Sequence, residues 1–243
     1  MKNAWIIAKR ELSAIFVQPI AYIFAIVMAL ITGYLFASQL TFTLLQPGAP
    51  VELGSVMRTY TFLFVFAAPA ITMRLLSEEQ RSGTMELLMT MPVRDGEVVL
   101  GKFLAALIFY TTTTALTLIY PVILFTYGNP DVGPILTTYL GVLLYGAALL
   151  AIGILASSLS ENQMVAFILA FGLTLMLYLA FIPAQIFPNN QSVVTILNEL
   201  AFDAHMDGFT RGLIVAKDVV YYVAITAVFL FAAARILESR RWR

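Results

Sequence analysis

Six apolar runs, each close to the length of a bilayer-crossing helix, leave this chain few ways to fold. They extend from Ile20 to Ala37, Tyr60 to Leu76 with Pro69 inside, Phe103 to Phe125, Ile135 to Ala156, Met164 to Phe181 and Val219 to Ala234. A helix rises about 1.5 Å per residue, so about 20 apolar residues match a hydrocarbon core roughly 30 Å thick. Backbone amides in that core must be satisfied within the segment, which makes each run a continuous helix. Of the 243 residues 60% are hydrophobic and only 12% charged, whereas roughly a quarter of a soluble domain is charged. The expected fold is all-α, a polytopic membrane protein with six transmembrane helices, the fourth and fifth joined by a tight hairpin over Ser157 to Gln163.

Orientation follows from Lys and Arg near the ends of the runs. Lys2, Lys9 and Arg10 precede the first; Arg74, Arg81, Arg94 and Lys102 lie between the second and third; Arg235, Arg240, Arg241 and Arg243 close the sequence. Eleven of fourteen basic residues thus share one side, and only Arg58, Arg211 and Lys217 take the other. The positive-inside rule makes the first side cytoplasmic, with both termini inside. No small-residue cleavage pattern follows the first run, so it is expected to be retained rather than removed as a signal peptide. Trp5 to Phe16 interleaves apolar side chains with Lys9, Arg10 and Glu11. That pattern suits an interfacial amphipathic helix or, equally, a basic anchor.

Two non-spanning segments carry further information. Ser77 to Gly101 holds seven of the 28 charged residues. Ser77 with Gln80 fits a capping box that starts a short helix. Gly83 interrupts it, Thr84 can cap a second short helix through Met89, and Pro92 stops that one. Met85, Leu87, Leu88 and Met91 give this helix an apolar face too small to span anything, which suits either a connector lying on the membrane or a docking element oriented by flanking charge. On the outer side, Pro183 to Lys217 is too long for a turn and too polar for a span. Phe202, Met206, Phe209 and Leu213 recur there at helical spacing, opposite Asp203, Asp207 and Arg211, with Asp207 and Arg211 at i,i+4. Short helices resting on or dipping into the outer leaflet are expected.

Several chemistries are excluded. Cysteine is absent, which removes disulfide, thiol and zinc-cluster proposals, and nothing supports nucleic-acid binding. Gly96 to Phe103 nearly matches a phosphate-binding loop. It fails because its middle is apolar, Phe103 replaces the magnesium-binding hydroxyl, and no strand precedes it. No apolar run has an acid near its centre, so ion-coupled transport lacks its usual carboxylate. His205, the only histidine, lies in the outer segment without a nucleophile motif and reads as an interfacial polar residue rather than half of a protease dyad. In the third run, Thr111 to Thr114, Thr117, Tyr120 and Pro121 form a polar column. Pro121 releases the carbonyl of Thr117 and predicts a bend. Thr113, Thr117 and Tyr120 are candidates for a translocation path, with intrahelical bonding and packing as the alternative. Gly146, Ala147, Ala151 and Gly153 permit close helix approach in the fourth run.

The segment Glu78 to Val93, EEQRSGTMELLMTMPV, continuing through Glu97 to Phe103, resembles the inner loop of ABC-2 type exporter permeases, and in particular the gliding-motility GldF-like branch. Ala8 to Leu12 with Pro19 to Tyr22 resembles that family's amino-terminal elbow, and Phe209 to Gly212 with Asp218 to Tyr222 its last outer segment. The resemblance implies one ABC-2 (type V) transmembrane domain over residues 1–243. Its elbow would occupy 1–19, its cytoplasmic coupling segment 77–97 and its short outer helices 183–217. It implies a bacterial inner-membrane permease that dimerises with a second copy or paralogue, contacts membrane lipid and has no ATPase site of its own. ATP and magnesium would be bound by a separate ATP-binding cassette subunit, with an auxiliary membrane protein bearing an outer domain as a further partner. The contacts implied for the ATPase subunit are Lys9, Arg10 and Glu11 in the elbow and Glu78, Glu79 and Arg81 in the loop. Gly83, Thr84, Glu86, Leu87, Leu88 and Met91 complete that docking segment.

Overall fold

The computed structural model describes residues 2–45, 53–84, 93–182 and 191–240. Among them the secondary structure is helical throughout. The elements are α1 (Lys2–Val17), α2 (Pro19–Leu45), α3 (Leu53–Thr72), α4 (Ser77–Arg81), α5 (Asp95–Leu116), α6 (Ile119–Tyr127), α7 (Val132–Leu159), α8 (Gln163–Tyr178), α9 (Gln191–Leu200), a 3-10 turn (Ala204–Met206), α10 (Asp207–Thr210) and α11 (Ala216–Arg240). Among the described residues, five stretches are long and apolar enough to cross a membrane: Ala21–Leu45, Leu53–Arg81, Asp95–Tyr127, Val132–Leu159 and Ala216–Ser239. The run expected as the fifth crossing is the 16-residue α8, about 24 Å long at helical rise.

Helix α7 is the centre of the bundle, packing against α3, α5, α8 and α11. Its own sequence permits this. An added Cβ at Gly146 would lie 2.1 Å from the Tyr110 ring of α5, and one at Gly153 would lie 2.0 Å from Thr72 Oγ1 at the end of α3. Tyr110 is fully buried, donates to the Val142 carbonyl at 2.8 Å and meets Phe64 with ring centroids 4.1 Å apart. Glycine here substitutes backbone contact for side-chain volume, as close membrane helix packing requires.

Hydroxyl groups explain where the helices outrun the apolar pattern and where they bend. α2 continues to Leu45, past the expected end at Ala37. Ser38, Thr41 and Thr43 return their hydroxyls to the carbonyls of Leu35, Ala37 and Gln39, so these polar residues need no water inside the helix. The third run bends near Pro121 as expected, but it is not one continuous helix: α5 ends at Leu116 and Pro121 lies in α6. The Thr117 carbonyl, which Pro121 deprives of its usual helical donor, accepts instead from the Tyr120 amide at 2.9 Å and from the Tyr139 hydroxyl of α7 at 2.8 Å. Pro69 likewise frees the carbonyl of Val65, and Thr174 of α8 places its hydroxyl 3.5 Å away. In hydrocarbon an orphaned carbonyl is costly, so each proline is matched by a hydroxyl from a neighbouring helix.

Gly146→Ala is expected to cost about 1–3 kcal/mol of stability through overpacking. Gly172→Ala on α8, where a Cβ would meet nothing within 4 Å, should be neutral or gain about 0.5–1 kcal/mol from helix propensity. Melting of the two variants in detergent micelles checks the contrast.

Candidate docking site at the basic end

The site is built where α1, α4 and α5 meet. Helix α1 lies along α5 because its Ala4 and Ala8 are buried and Gly101 lets the backbones touch. A Cβ on Gly101 would sit 2.8 Å from both the Ala4 carbonyl and Ile7. Phe16 meets Phe109 edge to face, with centroids 5.7 Å apart. Gly101 and Lys102, two residues of the rejected phosphate loop, are thus structural parts of α5.

Lys102 is only 1% exposed, yet two carboxylates reach it. Its Nζ lies 3.3 Å from Glu11 of α1 and 3.0 Å from Glu79 of α4. Arg10 approaches the same group from the surface, 3.1 Å from Glu79 and 3.7 Å from Glu11. A buried charge persists only when paired, and here the pairing ties three chain segments together. Beside this cluster, Arg74 pairs with Glu78 at 3.2 Å and donates to Gln18 at 3.0 Å. A cavity of about 80 Å³ separates α1 from α3 there, walled by Glu11, Gln18, Phe24, Ile71, Arg74 and Glu78.

Helix α4 is capped differently from the expected box. Its N-cap is Leu76, without a side-chain cap. Ser77 is buried and donates to the Met73 carbonyl instead. Ser157, at the end of α7, accepts from the amides of Leu76 and Ser77 at 3.0 and 3.1 Å and donates to the Met73 carbonyl at 3.0 Å. Gln80 adds a 3.1 Å bond to the Ser158 carbonyl. The sequence signal for this was two serines closing an apolar run, which read only as a hairpin. Gly83 ends the segment with φ +71°, a conformation that favours glycine.

Of the expected contact residues, Glu11 and Glu79 therefore face Lys102, Glu78 faces Arg74, and Lys9, Arg10, Arg81, Gly83 and Thr84 are exposed. Glu86, Leu87, Leu88 and Met91, together with the second short helix expected from Thr84, fall in 85–92, outside the described residues. The candidate path residues are all buried and internally bonded. Thr113 donates to the Tyr110 carbonyl, Thr117 to the Thr114 carbonyl, and the Tyr120 hydroxyl meets Thr32 at 2.9 Å while its ring stacks on Phe36.

At the opposite end the outer segment caps the bundle. Phe202, Met206 and Phe209 are fully buried, and the Phe209 carbonyl accepts from Thr137 at 2.7 Å. The expected row stops there. Gly212, with φ +88°, turns the chain, and Leu213 is 59% exposed. Asp207 is bound by Arg58 of α3 rather than forming the expected pair with Arg211, and Asp203 lies 3.7 Å from the same guanidinium. His205 is buried between Asp218, 2.7 Å from Nδ1, and the Glu199 carbonyl, 3.0 Å from Nε2. This makes it a packed anchor instead of an interfacial residue. The Lys217 ammonium holds the Glu199 carboxyl below its usual range, whereas burial pushes Asp203 above its usual range despite Arg58.

A multi-helix membrane protein with a cluster of paired charges at one end is the class this structure defines. The chain belongs to the ABC-2 family transporter proteins, whose family model matches residues 5–241. Over 98 residues, 40% of the chain, it is 30% identical to the proteins described as "Probable multidrug ABC transporter permease YbhR" in Escherichia coli strain K12 and in Escherichia coli O157:H7. The matched stretch spans about a quarter of those relatives, 26% of their length.

Ser157→Ala leaves two buried amides without their acceptor and is expected to cost about 1–3 kcal/mol, read as a lowered melting temperature in detergent. Asp203 gives a pH test. A raised folded pKa means its contribution is present below the ordinary 3.8 and lost as pH rises through the raised value. Asp203→Asn should therefore melt at or above the unmodified protein at neutral pH, with the difference vanishing as the pH is lowered toward 4 in that melting series.

Proposed function

We propose that this chain is the membrane-spanning permease subunit of an ATP-driven exporter, powered by a separate ATP-binding cassette subunit that docks at the basic end. The observation that carries this reading is the convergence of α1, α4 and α5 on Lys102, beside the exposed cations Lys9, Arg10, Arg81 and Arg94. A push on the loop between two spans reaches three helices through that contact. Membership of the ABC-2 family and the likeness to a relative described as a multidrug permease support the same role.

In this reading the basic end faces the cytoplasm of a bacterium, with both termini inside, as the Lys and Arg distribution favours. Helix α8 and the residues after it complete a sixth crossing. A second copy or a paralogue completes the permease, and the ATPase subunit binds ATP and magnesium. The GldF-like inner-loop sequence favours that branch and, with it, an auxiliary membrane protein on the outer side. Thr113, Thr117 and Tyr120 belong to the bent third span, whose packing shifts when α4 is pushed.

A second reading is a membrane scaffold that passes ATPase motion to an outer partner instead of moving cargo. It draws on the outer cap, where a cavity of about 620 Å³ opens among Ser55, Arg58, Asp131, Thr138, Thr210 and Arg211. Transport into inverted vesicles separates the two readings, because a scaffold gives ATP hydrolysis without cargo accumulation.

Affinity purification of the tagged chain from native membranes is expected to recover an ATPase subunit. Lys9→Glu combined with Arg81→Glu should lower that recovery about tenfold or more, since like-charge juxtaposition at an interface costs several kcal/mol. A wild-type preparation free of any ATPase, or unchanged recovery by the double variant, would count against the assignment.

A further inference from the structure

We infer that Lys102 is a positioning residue, the joint through which α4 and α1 move as one piece; this rests on the docking role proposed above. Helix α4 is held from two directions by different chemistry. Toward α7 it is held by hydrogen bonds, from Ser157 to the amides of Leu76 and Ser77 and from Gln80 to the Ser158 carbonyl. Toward α1 and α5 the bonds that tie Glu79 are ionic, to Lys102 at 3.0 Å and Arg10 at 3.1 Å. Helix α1 needs no such tie to α5, because Ala4, Ala8, Gly101 and the Phe16–Phe109 contact already pack them. The Lys102 cluster is therefore specialised for the α4 side of the junction.

Two further features fit a joint better than a static brace. The cavity of about 80 Å³ between α1 and α3 lies directly beside the cluster, so the elbow is not wedged against α3 and has space to move. Moreover, Glu79 Oε2 is buried with no hydrogen-bond partner among the described residues, so the carboxylate retains unused acceptor capacity. A flip of the carboxylate can exchange which oxygen holds Lys102 while α4 keeps its place against α1. A buried lysine that lost both carboxylates would be strongly destabilised, which keeps the three segments together when α4 is displaced.

The chain has no native cysteine, so spin labels can be placed at Ser13→Cys on α1 and Ser82→Cys after α4, both exposed positions. Pulsed electron resonance on the purified full-length complex then reads the α1–α4 distance with and without ATP plus vanadate. One narrow population is expected in both states for the parent protein. Lys102→Met sets Glu11 against Glu79 and should split or broaden that population. Because this variant also leaves buried carboxylates and could fail to fold, Glu11→Gln/Glu79→Gln/Lys102→Met is the companion. It buries no charge, should fold, and should still broaden the distance while ATPase subunit is retained. A distribution as narrow in the triple variant as in the parent overturns the joint, as does an ATP-dependent broadening in the parent itself. Absence of an ATPase from the parent preparation sinks the docking role instead, and the nucleotide-free distances then decide the joint alone.

Discussion

At Gly146 and Gly153, α7 comes closer to its neighbours than any side chain would allow, and these two contacts seat α5 and the end of α3. Gly146 receives the ring of Tyr110, which fixes α5; Gly153 receives Thr72, which fixes the end of α3. Association of helices in lipid gains little from burying apolar surface, since the lipid tails are apolar too, so close packing has to supply the specificity. With α3 and α5 seated, their basic ends are seated as well. One continues toward α4 and the other carries Lys102. The geometry of the charged cluster is thus set by two glycines lying well inside the bundle.

The same demand for internal satisfaction governs the polar residues. Pro69 and Pro121 each release a carbonyl, and Thr174 and Tyr139 from neighbouring helices approach those oxygens. Thr113 and Thr117 spend their hydroxyls on carbonyls of their own helix. A polar column in an apolar helix can signal a route for cargo or the repair of a bend. In α5 and α6 the hydrogen bonds describe a repaired bend, held by Tyr139 and by the Tyr120–Thr32 contact.

Five of the six expected spans were legible in the sequence because hydropathy acts over some twenty residues and needs no partner. Ends were less legible. α2 runs on through Ser38, Thr41 and Thr43 because each hydroxyl bonds back to its own helix, an effect that a count of apolar residues misses. The outer segment was half readable. Phe202, Met206 and Phe209 form an apolar row as their spacing predicted, but α7 rather than the outer leaflet covers it, Gly212 turns the chain before Leu213, and Arg58 takes Asp207 from Arg211. At the basic end, the charge density of the loop was visible, whereas the burial of Lys102 was not. It depends on Glu11 and Glu79, which are 91 and 23 residues away in sequence and come together only through the α1–α5 packing.

That burial changes what the charges at this end mean. Read along the chain, Glu11 and Glu79 look like surface groups available to a partner, and the elbow and loop together look nearly balanced in charge. In the fold both carboxylates turn inward onto one lysine, while Lys9, Arg10, Arg81 and Arg94 remain exposed. Among the described residues the exposed face is consequently more cationic than its sequence suggests. Exposed charge steers encounters over a Debye length of about 8–10 Å at ordinary ionic strength, whereas the paired interior charges are screened much less and act locally. The exposed cations are suited to orienting an acidic surface, and the buried set to keeping α4 attached to the helices it would move.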